Sequence, residues 1–126
     1  MSVAYGKGPK GKATRLHSLV VRSRGACENC GEGDYAKLQC AHVVGRRFNA
    51  VRTDEANAFC LCWKCHRHFT AWPLEFAAFV ISKIGQDEYD RLKAKAEAGV
   101  KVNDAFWLAE VERLSALMAE GGGTAA

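Results

Sequence analysis

Two cysteine pairs carry the clearest chemical signal in this chain. Cys27-Glu28-Asn29-Cys30 is followed directly by Gly31, and Cys62-Trp63-Lys64-Cys65 begins 32 residues after Cys30. Thiolates two residues apart can face one ion from a tight turn, and two such turns complete the tetrahedron of a structural Zn2+. Gly31 eases the first turn, because glycine tolerates a positive φ. Four protein ligands leave no position for water, so this ion would replace core rather than do chemistry. Its binding would be coupled to folding. A redox Cys-x-x-Cys would be a single pair beside a βαβ pattern, and this chain has two pairs and no such pattern. Cys40 and Cys60 fall outside the pairs and are expected as small buried hydrophobes.

Between and after the pairs come His42 in AHVVGRR, Asn57 in EANAFCLC, and His66 and His68 in CWKCHRHF. Phosphodiester hydrolysis needs an activated water, charge neutralisation at phosphorus and a stabilised leaving oxygen. An imidazole neutral near pH 7 can take the water's proton, and a divalent ion can act as Lewis acid on the phosphate. The order His, Asn, His, clamped by two Cys-x-x-Cys units, resembles the HNH, or ββα-metal, nuclease family. That resemblance implies His42 as general base, Asn57 as orienter of the loop that holds the base, and His66 as ligand of a catalytic Mg2+ or Mn2+. Many such nucleases carry Asp or His directly before the base, where this chain has Ala41. Gln39, Cys40, His68 or water are the alternatives for that second ligand. His17, in the basic first segment, is expected on the surface.

A closer resemblance covers residues 27 to about 92, roughly half the chain, and is to the phage recombination nucleases of the NinG (Rap) family. It rests on the first CxxCG, on Ala41-His42, on the loop to Asn57, on the second CxxC with His68, and on ISKIGQDEYDRL at 81–92. In that family the helical histidine falls at His68, and the position of His66 is usually Asn. The resemblance implies DNA as partner, branched or Holliday-junction substrates cut during recombination, and a phage or prophage protein in the bacterial cytoplasm.

Charge fits a polyanionic partner. Residues 1–24 carry net +6, residues 25–72 net +1 and residues 73–126 net −3. A basic leading segment suits nucleic acid, and Arg46, Arg47, Arg52, Lys64 and Arg67 near the motif are candidate phosphate contacts. Trp63, Phe69 and Trp72 are expected to pack around the second knuckle.

These residues need elements to position them. The pattern predicts a small α+β fold: a zinc-stapled ββα-metal (HNH) core with additional helices at both ends. Residues 1–24 form a basic segment, mobile over 1–12 and helical over 13–24. Residues 25–72 form the zinc-bound core, with an extended segment at 35–44, a polar loop at 45–56 and a short helix from about Leu61 to Thr70. Residues 73–120 are a helical part of the same domain, and 121–126 a disordered tail. Pro73 opens a helix whose stripe is Phe76, Phe79, Val80 and Ile84, and Gly85 ends it. Residues 87–98 form a charged helix closed by Gly99. Asn103 caps a last helix whose apolar face is Phe106, Trp107, Val111, Leu114 and Leu117. That stripe could cover the core or form a homodimer face, which would suit a junction-cutting enzyme. No apolar run is long enough to span a bilayer and the first residues lack a secretory h-region, so an intracellular protein with no membrane partner is expected. Two other functions compete with the nuclease: a zinc-ribbon DNA-binding or regulatory module without catalysis, and a protein adaptor using the C-terminal helices.

Overall fold

The computed structural model describes residues 6–120. Its order is α1 (Gly8–Arg22), β1 (Leu38–His42), β2 (Ala58–Cys62), α2 (Trp63–Ala71), α3 (Pro73–Ile84), α4 (Gln86–Glu97) and α5 (Asp104–Ala119). The two strands pair antiparallel, with Cys40 opposite Cys60 and His42 opposite Ala58. The fold is therefore small α+β: one hairpin, a helix following its second strand, and further helices around them.

Three sequence expectations need correction. The helix expected from about Leu61 begins at Trp63, because Ala58-Phe59-Cys60-Leu61-Cys62 is a strand buried along its whole length. A continuous apolar run reads equally well as buried strand or buried helix, and here helices cover both faces of the sheet. The mobile stretch expected over 1–12 gives way to helix at Gly8, where Pro9 is placed in the first turn. The remainder of that expectation, residues 1–5, and the tail at 121–126 lie outside the described residues. Residues 43 and 44 belong to the loop, and the extended segment shortens to β1, preceded by one 3-10 turn at Tyr35–Lys37.

The core forms where the faces of these elements meet. Val21 of α1, Leu38, Cys60 and Leu61 of the sheet, Phe69 of α2 and Val80 of α3 belong to one buried cluster. Phe69 packs on Phe76 and Phe79 with ring centroids 5.3 and 5.0 Å away, and Phe79 meets Phe59 edge-on at 5.1 Å. Such pairs contribute about 0.5–1.5 kcal/mol each beyond area burial. The Phe76, Phe79, Val80 and Ile84 stripe thus packs as expected. Trp63 and Trp72 do not: they are 41 % and 58 % exposed, so only Phe69 of that trio is core. Both tryptophans flank α2 on its outer side, where the inner positions are already filled by Cys65 and Phe69.

The ends of α3, α4 and α5 follow the sequence closely. Gly85 takes φ +87° between α3 and α4. Asn103 caps α5 by accepting a 3.0 Å bond from the Phe106 amide. Trp107 and Leu114 are buried, and α5 packs on α1. Among the described residues no helix is long and apolar enough to cross a membrane.

Candidate functional site

The four paired cysteines come together. Cys62 ends β2 and Cys65 lies in the first turn of α2, so the second knuckle is a strand-to-helix junction. The first knuckle turns tightly: the Gly31 amide donates to the Cys27 carbonyl at 2.9 Å, with Gly31 at φ +86°. It is tied to β2 twice, by Glu28 N–H donating to the Cys60 carbonyl at 2.8 Å and by the Cys60 amide donating to Glu28 Oε2 at 2.7 Å. Arg24 braces the same corner, donating to Glu28 Oε2, Ala58 O and Glu55 O, each at 2.9 Å.

The Sγ atoms of Cys27, Cys30, Cys62 and Cys65 all lie within 4.8 Å of one another, and those of Cys30 and Cys62 are 3.7 Å apart. Tetrahedral Zn–S bonds of about 2.3 Å imply sulfur separations near 3.8 Å. Burial alone would raise the Cys27 thiol, yet hydrogen bonding from the backbone of Cys30, Cys62 and Asn29 brings it down to about 7. Donor number, softness and spacing all fit a structural ion such as Zn2+.

His42 ends β1. Its Nε2 lies 3.0 Å from the Arg52 carbonyl oxygen. A carbonyl only accepts, so Nε2 carries the proton and Nδ1 keeps its lone pair. Burial, then the positive potential of His17, Arg46 and Arg52, hold the ring's pKa down to about 4, so it is neutral at pH 7. His42 lines a cavity of about 300 Å³ with Thr14, Ser18 and Arg22 of α1, with Cys40, and with Arg46 from the loop.

Asn57 fixes that loop. It is fully buried; its Oδ1 accepts from the Val44 amide at 2.7 Å, and its Nδ2 donates to Val44 O at 3.1 Å and Val51 O at 3.0 Å. One side chain thereby closes residues 44 to 57 and sets the Arg52 carbonyl against His42. Farther out, Arg113 of α5 donates to Thr53 O at 3.1 Å and to both Glu55 oxygens at 2.7 Å, while Thr53 Oγ1 donates to Glu110 at 2.7 Å.

The remaining expected residues divide by location. Arg46 lines the His42 cavity. Arg52 is tied inward, donating from Nε to Thr14 Oγ1 and from Nη1 to Arg46 O, each at 2.8 Å, and its contribution to the site is its backbone carbonyl. The Arg47 guanidinium stacks over the Phe48 ring at 4.6 Å. Lys64 and Arg67 flank the exposed Trp63 ring on α2, at 5.9 and 5.6 Å. His66 and His68 do not join His42. His66 Nδ1 is 2.7 Å from Gln39 Oε1, and His68 Nε2 is 2.7 Å from Glu75 Oε1. Along β1 the side chains alternate, so Cys40 and His42 face α1, while Gln39, which also borders the His42 cavity, reaches His66 of α2.

His17, expected on the surface, is also placed differently by the structure. It is fully buried, its ring centroid 5.2 Å from that of His42. Its Nε2 bonds the Asp54 carbonyl oxygen at 2.9 Å and its Nδ1 lies 3.9 Å from Cys40 Sγ. Burial, above all, lowers its pKa to about 4 and pushes the Cys40 thiol up to about 12. The signal was present: Ala13, His17, Val20 and Val21 share one face at helical spacing. Net charge over 1–24 masked it. Cys60 is fully buried as expected, whereas Cys40 is only half-buried, beside His17.

No protein-family model, curated protein or solved structure matches this chain. The motif resemblances therefore stand on the quoted residues alone.

Proposed function

We propose that the chain is a DNA endonuclease in which His42 is the general base. One observation carries the reading: a neutral imidazole, its Nε2 proton engaged by the Arg52 carbonyl and its Nδ1 lone pair left over, lines an open cavity that also holds Arg22 and Arg46. In the proposed step a water gives its proton to Nδ1 as its oxygen bonds phosphorus. The bond from phosphorus to the 3′ oxygen breaks, that oxygen takes a proton from solvent, and His42 returns its own proton to solvent. Arg46 binds phosphate oxygen, and Asn57 keeps the Arg52 carbonyl in place. Branched DNA, including four-way junctions, is the substrate class that the motif resemblance favours, in phage recombination, with a homodimer supplying two cuts.

The donors around His42 do not fit a hard divalent cation. Besides imidazole nitrogen, thiol sulfur and guanidinium groups the lining offers only the neutral oxygens of Thr14, Ser18 and Gln39, and no carboxylate lines the cavity. His66, on α2, is instead paired with Gln39 Oε1. Cleavage with and without Mg2+ or Mn2+ reads the metal requirement directly. The same observation favours a second reading: a zinc-stapled DNA-binding or regulatory module without turnover.

Cleavage of a labelled four-way junction and a matched linear duplex, with and without Mg2+ or Mn2+, separates the two. For a base, His42→Ala lowers turnover about 10²–10⁴-fold while junction binding and the thermal melt persist. Equal cutting of both DNAs would keep the nuclease and discard branch preference. DNA binding with no cutting, by folded zinc-loaded protein, would leave the binding module.

A further inference from the structure

The three groups on the α1 face of the sheet have a geometry of their own. Ligand atoms of His17, Cys40 and His42 all lie within 4.8 Å of one another, a cluster separate from the four paired cysteines. Each histidine gives its Nε2 to a backbone carbonyl, Asp54 for His17 and Arg52 for His42. Metal-binding histidines almost always donate their second ring N–H in this way, which fixes the ring and leaves one nitrogen for the ion. His17 Nδ1 is 3.9 Å from Cys40 Sγ. Zn–N and Zn–S bonds of about 2.0 and 2.3 Å in a tetrahedron place those atoms about 3.5 Å apart, a small closure. Three protein donors leave the fourth position to the cavity that Arg22 and Arg46 line.

We propose that His17, Cys40 and His42 form a second metal site, for a borderline divalent ion such as Zn2+ or Co2+, and that filling it silences the nuclease by taking the lone pair of the base. The donor set is two imidazoles and a thiol, which suits these ions and not Mg2+. Cys40 binds as thiolate and releases its proton to solvent. That thiolate balances one of the two positive charges, and an anionic oxygen at the fourth position balances the other, held by Arg22 and Arg46. The silencing half rests on the nuclease reading, and the binding half does not.

The test adds Co2+ to the protein already carrying one tightly bound Zn2+, which Co2+ displaces poorly from thiolates. The expected result is one Co2+ per chain, with a near-ultraviolet thiolate-to-cobalt band that Cys40→Ala abolishes and His17→Gln weakens, the folds checked by circular dichroism. No band in folded wild-type protein overturns the site. Zn2+ is then titrated into junction cleavage, each protein referred to its own turnover without added Zn2+. Wild type should lose activity at least tenfold more readily than Cys40→Ala. Equal inhibition of both overturns the silencing role. Cobalt binding by a protein that never cuts DNA establishes the site and overturns the silencing role together with the nuclease reading.

Discussion

His17 and His42 are two imidazoles kept neutral in one buried corner, and acid must act on both. Their folded pKa values, about 4, lie below the ordinary 6.5 of the unfolded chain. Below 6.5 the unfolded state therefore binds more protons. The stability that these groups contribute is complete above pH 6.5 and is lost as pH falls from there toward 4. His17→Gln keeps an N–H for the Asp54 carbonyl but does not titrate. Comparing its urea midpoint with wild type cancels acid loss of zinc from the paired cysteines, which both proteins share. At pH 8 the variant should be the weaker of the two. By pH 4.5 the difference should have shifted in its favour by about 1–3 kcal/mol. A difference that stays constant with pH would mean that His17 does not titrate on unfolding.

At the scale of elements, the hairpin and the loop joining its strands are held by one amide. Asn57→Ala removes three hydrogen bonds and strands Val44 N–H and two carbonyls in a buried place. The expected cost is on the order of 2–4 kcal/mol in a urea melt, with new protease cleavage between residues 45 and 52. Unchanged protection of that stretch would refute the clamp. The motif resemblance singled out Asn57, and its side chain does bond the loop backbone at Val44 and Val51. Helices α3 and α5 were legible because Pro73, Gly85 and Asn103 mark their ends in chemistry local to the chain. Strand β2 was not, since five consecutive buried residues carry no period. Nor was the packing of α1 on the sheet, which brings His17 to Cys40 across 23 residues of sequence. A helix shows its apolar face in sequence, but not which sheet that face will meet. The separation of His66 from His42 was hidden for a related reason: it depends on which face of β1 each helix covers, and two-residue alternation sets that only once the strand exists.

For the whole molecule, the four-cysteine cluster decides whether folding and metal binding are one event. Cys27 and Cys62 belong to the same buried cluster as Val21, Leu38, Leu61, Phe69 and Val80, which come from α1, both strands, α2 and α3. An ion held at that cluster would therefore tie these elements together, and its removal would loosen them as one. Without it, thiols 3.7 Å apart lose the bonds that hold two turns and the start of α2. Purified protein, dialysed against metal-free buffer, should retain one Zn2+ per chain. A strong chelator should then lower the thermal midpoint in a single transition seen alike in the helical signal and in tryptophan fluorescence. Cys62→Ser should lose the retained Zn2+ and destabilise the fold by on the order of 5 kcal/mol or more. Two separate transitions would show instead that the packing of α5 on α1 survives alone. An unchanged melt after chelation would reduce the cluster to four free thiols. In the same sample, reductant should leave a zinc-held knuckle intact, as it would not a disulfide.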